Sequence, residues 1–184
     1  AFVEAKQIPL LHQWAKPDTW IKEGNPPISD RFERLAYLRN IIVDEAHPIL
    51  GEDYILWIDS DVVDFPPNLI KDLMKYDAPV VAPSVWIEGT SQFYDTLAFR
   101  NVNGQNIEPF NLPYKGLTEM SGVGTCYLVA SRLYSQSKVR YRGGDSEHVR
   151  FCQAIRELGE RVYADFDIKI QHANLPKYGG RNWH

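Results

Sequence analysis

The sequence predicts an α/β fold with a mixed, mainly parallel sheet, on three observations. Residues 54–58, Tyr-Ile-Leu-Trp-Ile, form a continuous apolar run, the pattern of a strand buried on both faces. Strand-like and helix-like segments alternate along much of the chain, as in layered α/β domains. The apolar run ends in Asp59-Ser60-Asp61, and the polar chemistry of open α/β sheets gathers at the carboxyl ends of strands.

The elements follow in order. Residues 1–30 are irregular, broken by Pro9, Pro17, Pro26 and Pro27. Ser29 or Asp30 can cap a helix running to about Ala46, with Phe32, Leu35, Leu38, Ile42 and Val43 as its apolar stripe. The acidic strand covers 53–58. Pro66-Pro67 opens a short helix reaching about Tyr76, since proline is tolerated in a first turn. Val80–Pro83 is a second buried strand, and 86–118 reads as loop with scattered aromatics. Gly124–Ala130 is a strand and Arg132–Ser135 a helical turn. Asp145 or Ser146 caps a helix to Leu158, with Gly159 just past its end. Val162–Ala164 and Ile168–His172 are late strands, and 173–184 is a flexible Gly- and Asn-rich tail.

The whole is expected to be one domain over residues 1–184, long enough to bury a core. Its net charge is −4, with 44% hydrophobic and 24% charged residues. That balance carries no basic excess, so nucleic acid is not an expected partner. No stretch nears eighteen apolar residues and no signal-peptide pattern opens the chain. A soluble domain is expected. The missing signal and anchor favour the cytoplasm, with a Golgi-lumenal fragment as the alternative. Cys126 and Cys152 sit among apolar neighbours and read as buried free thiols.

Four places carry candidate chemistry. Asp59 and Asp61 are one residue apart, and an extended backbone sends such a pair to the same side. Two hard oxygens converging there suit Mg²⁺ or Mn²⁺, and an ion held there can in turn hold a diphosphate. Asp145-Ser-Glu147 follows two glycines at a helix start. Capping accounts for Asp145 or Ser146, whereas Glu147 can orient an acceptor hydroxyl or take its proton. His172 ends a late strand, and Arg39-Asn40 lies in the helix before the acidic strand. There Arg39 can meet phosphate and Asn40 a base or ribose, against the plainer reading of a solvated helix face. Ser121-Gly-Val-Gly-Thr125 is neither a dinucleotide fingerprint nor a Walker loop, and reads as a tight turn lining a cleft.

The order of these motifs, over about residues 29–173, resembles a glycosyltransferase of the GT-A fold, a three-layer α/β/α, Rossmann-like architecture. Several phrases are similar to the fungal mannan-polymerase mannosyltransferases. They are Leu56-Trp57, Pro66-Pro67-Asn-Leu-Ile-Lys-Asp-Leu-Met74, Val81-Ala-Pro-Ser-Val-Trp86, Tyr94-Asp95 and Met120-Ser-Gly-Val-Gly124. The resemblance implies transfer of a sugar, mannose by preference, from a nucleotide-diphosphate sugar to a hydroxyl of a glycan or other acceptor. GDP-mannose is the favoured donor and a UDP-sugar the alternative. It further implies Asp61 on Mn²⁺ or Mg²⁺, Asp59 beside the ribose or sugar and near the metal, and His172 completing the metal's ligands. Arg39 and Asn40 would lie near the nucleotide, and Glu147, with Asp145, near the acceptor. Two features depart from the pattern. The strand and helix that open a GT-A fold are not evident in residues 1–30, and Asp145-Ser-Glu147 resembles inverting transferases whereas the mannan enzymes retain configuration.

Two rival readings stand beside it. A haloacid-dehalogenase-type phosphatase would use Asp59 as nucleophile and Asp61 as acid. A non-catalytic sugar-binding domain of the same fold would use neither.

Overall fold

The structure is a computed structural model that describes residues 2–3, 22–23, 28–50 and 53–174, leaving undescribed the side chains of 2–3, 22–23 and 45–50. The reading of 1–30 as irregular, and of the tail beyond residue 174 as flexible, thus falls largely outside the described residues. Short strands β1 (Phe2–Val3) and β2 (Lys22–Glu23) pair in parallel, apart from the main sheet.

Helix α1 (Arg31–Leu50) starts where Asp30 Oδ1 accepts the Glu33 amide at 2.8 Å, a side-chain cap on an otherwise orphan N–H. Its most buried apolar residues are Ala36 and Val43 rather than the larger stripe residues, which are half-buried. Arg39 and Asn40 lie at helical spacing between those two, so the solvated-face reading of this pair fails. Strand β3 (Tyr54–Ile58) follows, then β4 (Val62–Asp64) and α2 (Leu69–Met74), whose Leu69 and Leu73 are buried. β5 spans Val80–Ile87, longer than expected, and β6 (Leu117–Met120) begins at the end of the segment read as loop and runs past it. β7 is Cys126–Ala130, α3 is Arg132–Ser135 and α4 is Glu147–Glu157. Gly159 adopts φ +81° beyond α4, the left-handed conformation that favours glycine at a helix end. The two late strands are one, β8 (Val162–His172).

The main sheet runs β3-β7-β5-β8-β4, with β6 also on β8. It is mixed, and the expectation that parallel pairs dominate is corrected. Among the described residues of this main sheet only β5 and β8 pair in parallel, while β3–β7, β5–β7, β4–β8 and β6–β8 are antiparallel. Local hydrophobicity reports burial on both faces, which an antiparallel neighbour also permits. The β5–β8 register shifts between Pro83 and Ser84, where Pro83 faces Asp165 and Ser84 faces Lys169, so residues 166–168 bulge from β8. Proline has no N–H to give the ladder, so the break falls where one bond is missing anyway.

The core joins the sheet's apolar side chains to an aromatic cluster of Trp57, Tyr127, Tyr134, Tyr141 and Phe151. Cys126 and Cys152 are buried and free, as expected. Among the described residues, no helix is long and apolar enough to cross a membrane.

Candidate active site

The sheet's connectivity assembles the site. β3 and β8 end at the same edge as β7 begins, because β7 runs antiparallel to β3. Asp59 leaves β3 with its N–H bonded to the Thr125 carbonyl at 2.9 Å, and a turn brings the Val62 N–H to the Asp59 carbonyl at 3.2 Å. Asp61 therefore sits in a turn, not on extended backbone as expected. The Ala173 N–H bonds the Asp61 carbonyl at 2.8 Å, and Val62 pairs with His172. Strand β4, invisible to hydrophobic patterning, is what brings Asp61 beside His172.

The two aspartates face different partners. Asp61 Oδ2 lies 2.9 Å from His172 Nε2. Asp59 Oδ1 lies 3.3 Å from Arg39 Nη2. Their acidities part accordingly. His172 holds the Asp61 carboxyl below the ordinary aspartate range. Burial raises that of Asp59 and the nearby Asp61 charge adds to the rise, with Arg39 opposing both. Among the described residues, no three His, Cys, Asp or Glu side chains are gathered as a ligand group.

Arg39 is the hub of the other half. Its Nε donates to Glu147 Oε1 at 3.4 Å, its Nη2 also lies 3.3 Å from His148 Nε2, and its guanidinium stands over the rings of Trp57 and Tyr141 at 5.1 and 5.6 Å. Burial works against its charge, but the surrounding hydroxyls and carboxylates more than offset this and its pKa rises. Glu147 is only 2% exposed, and burial lifts its carboxyl above the ordinary range, opposed by Arg39. Buried His148 accepts from Arg39 at Nε2 and so donates from Nδ1 to the Tyr127 hydroxyl, 3.0 Å away; burial followed by the Arg39 charge drives its pKa well down, so it is neutral.

Two expected residues have other duties. Asn40 spends both ends of its amide on the Tyr141 backbone, donating to its carbonyl at 2.9 Å and accepting its N–H at 2.8 Å. It braces α1 against the segment leading to α4. Asp145 pairs with Arg100 at 2.8 Å and Arg150 at 3.2 Å. Neither Asp145 nor Ser146 makes the expected side-chain cap; Ser146 occupies the N-cap position without that bond.

Sequence reasoning also missed site residues. Tyr94 stacks on His172, with ring centroids 3.5 Å apart and planes 14° from parallel. Asp95 is buried and accepts from Thr125 Oγ1 at 2.8 Å and from the Ala98 N–H at 3.1 Å. A lone Tyr-Asp in a loop gives no local signal for either role. His148, which is not among the sequence candidates, becomes central only through Arg39.

The Asp61–His172 pair has the chemistry of a cation site. The Nδ1 of His172 donates to the Ala173 carbonyl 2.9 Å away. Burial disfavours the charged ring but Asp61 outweighs it and raises the His172 pKa, so Nε2 carries a proton toward Asp61 or, with that proton displaced, offers its lone pair to a ligand. Buried Nε2 has no hydrogen bond of good alignment although a carboxylate oxygen is 2.9 Å away. Two acceptors that close call for a proton or a cation between them. Adjacent ligands of an octahedral ion with bonds of about 2.1 Å stand roughly 3 Å apart. The residues present fit such an ion.

Residues 28–106 match the family profile of Anp1. No curated protein matches the sequence. Among solved structures, A197 from STIV superposes with a TM-score of 0.55 at 16% identity, over 90% of this chain and 85% of that one. GalNAc-T7, crystallised with UDP, GalNAc and Mn²⁺, superposes with a TM-score of 0.56 at 12% identity, over 97% of this chain and 36% of that one. The chain thus spans about a third of the GalNAc-T7 chain it matches. With that sequence match and this architecture, the chain has the GT-A fold and is similar to the Anp1 family over residues 28–106.

Proposed function

We propose that this single domain moves a sugar, mannose in the first instance, from a nucleotide-diphosphate sugar to a hydroxyl of a glycan or other acceptor. The observation that carries the reading is convergence. Two contact groups, Arg39 from α1 with Asp59 and Glu147 at 3.3 and 3.4 Å and Asp61 with His172 from β8 at 2.9 Å, are brought to the same end of the sheet by the turn that joins Asp59 to Asp61. The Anp1 match supports mannose and hence GDP-mannose as donor.

Asp61 and His172 would hold Mn²⁺ or Mg²⁺, with Asp59 beside them. The bound ion supplies neutralisation of the charge that develops on the departing nucleoside diphosphate. The chain's own residues do the rest. Arg39 holds a fixed positive charge between Asp59 and Glu147, where it can face the diphosphate. Asp59, tethered by its backbone to Thr125, would sit beside the ribose or sugar. Asn40 acts on the nucleotide side through α1, which it anchors. Glu147, made more basic by burial, accepts the acceptor hydroxyl's proton. Asp145 keeps the α4 entrance in place through Arg100 and Arg150. The phosphatase reading needs Asp59 free as a nucleophile, whereas Arg39 engages it.

The test is nucleoside diphosphate release from GDP-mannose and UDP-sugars with Mn²⁺ and an oligomannose acceptor. Release should require the metal and disappear in Asp61→Ala. A folded Asp61→Ala protein with full Mn²⁺-dependent transfer would remove the metal assignment.

A further inference from the structure

We infer that Asp95 is a positioning residue that sets the Asp59 side of the cation site by holding Thr125 in a conformation it would otherwise avoid. This rests on the proposed metal–diphosphate reading only for its functional consequence.

Thr125 has φ +58°, in the left-handed region. A β-branched residue is a true outlier there and persists only when its surroundings dictate it. The Asp95 carboxylate does so. Its Oδ2 accepts the Thr125 hydroxyl at 2.8 Å, while its Oδ1 is pinned by the Ala98 N–H at 3.1 Å. The fit around it is tight. A Cβ added to Gly124 would lie 2.4 Å from Asp95 Oδ2, 2.5 Å from Ala98 Cβ and 3.2 Å from His148 Cδ2. A Cβ on Gly122 would lie 2.6 Å from the Ala98 carbonyl oxygen. Segments 95–98 and 122–125 are thus pressed together, with glycine wherever a side chain would part them.

The consequence runs to the site in two directions. The carbonyl of Thr125 receives the Asp59 N–H at 2.9 Å, so the strained residue fixes where Asp59 leaves β3. The neighbour of Asp95, Tyr94, lies flat against the His172 ring. One dipeptide therefore touches both walls of the proposed cation site, and neither of its residues belongs to the expected ligand or nucleotide set.

The inference separates conformation from contact, and glycine tests it. Asp95→Asn and Thr125→Val should each make the Asp59 amide exchange with solvent roughly tenfold faster, while amides in Val80–Val85 stay protected. Thr125→Ser keeps the hydroxyl and should stay near wild type. In the Asp95→Asn background, Thr125→Gly should restore slow exchange at Asp59, because glycine needs no hydroxyl to hold a positive φ. Titration with Mn²⁺ alone should follow the same order, with affinity about 10-fold to 100-fold weaker in Asp95→Asn, as for other residues that orient ligands. An Asp59 amide equally protected in folded wild type, Asp95→Asn and Thr125→Val would overturn the inference, as would failure of Thr125→Gly to restore it. Wild-type protein that binds no Mn²⁺ would instead refute the metal reading, and the Asp59 amide would still decide the role of Asp95.

Discussion

Replacing Asp95 by asparagine should change how stability depends on pH, in a direction and by an amount that the structure dictates. The Asp95 carboxyl lies at about 6 instead of the ordinary 3.8. Burial is the main cause, and the Asp59 and Glu147 charges add to it. The Thr125 hydroxyl and Ala98 N–H pull the other way without cancelling the rise. A carboxyl whose folded pKa exceeds its unfolded one adds stability that is complete below the unfolded value and is lost as pH rises through the folded value. For Asp95 the loss runs from 3.8 to just above about 6. That gap of about two pH units corresponds to about 3 kcal/mol, at roughly 1.4 kcal/mol per unit. Asparagine keeps the shape but has no charge to bury. Urea unfolding of both proteins, followed by tryptophan fluorescence between about pH 4 and 8, reads the effect of Asp95 together with its coupling to Asp59 and Glu147, because titrating groups remote from Asp95 cancel in the difference. Wild type should lose about 3 kcal/mol relative to Asp95→Asn as pH rises through the window. Any cost of the altered Thr125 hydrogen bond is a constant offset. Parallel profiles, or a wild type that gains relative stability toward neutral pH, would refute the reasoning.

Other perturbations separate roles within the site. Glu147→Gln should fold normally and lower kcat by about 100-fold or more with donor KM nearly unchanged, as expected for a proton acceptor; a donor KM that rises alone would make Glu147 an anchor for Arg39. Arg39→Lys keeps the charge but cannot serve Asp59, Glu147 and His148 together, and should cost about 1–3 kcal/mol in chemical denaturation because a buried carboxylate loses its forked partner. Gly124→Ala drives a methyl into Asp95 and Ala98 and should lower stability by about 1–3 kcal/mol, seen as an earlier urea midpoint with unchanged slope. Leu73→Ala empties a fully buried place between α2 and the sheet and should cost about 2–5 kcal/mol in the same assay, without altering Mn²⁺ affinity.

What was legible in the sequence was what local chemistry determines. The apolar run of β3, the Asp30 cap of α1, the short helix after Pro66-Pro67 and Gly159 beyond α4 were each visible within a few residues. Strand β4 was not, because Val62–Asp64 is too short to show a period and exists through pairing with β8. Strand β6, Leu-Thr-Glu-Met, likewise has no strand pattern of its own and is held by Val162–Asp165. The direction of β7 beside β3 is a long-range property, so an apolar run could not distinguish parallel from antiparallel. In the site, Asp59, Asp61, Glu147 and His172 stood out as ionisable groups at element ends. Arg39 and Asn40 were identified, but their duties depend on residues about a hundred positions away. Asp95 and His148 were undervalued because Thr125, Arg39 and Tyr127 lie far along the chain from them, and burial, not sequence context, gives them their perturbed acidities.

The most direct test of the proposed site is thermal unfolding with GDP and GDP-mannose, with and without Mn²⁺, for wild type and Asp61→Ala. A ligand that binds only the folded state raises its melting point in proportion to occupancy. The site predicts a rise of several degrees for wild type only when nucleotide and Mn²⁺ are both present, and none for folded Asp61→Ala. An equal rise without metal, or an undiminished rise in Asp61→Ala, would contradict a cation held by Asp61 and His172 as the link between this chain and its donor.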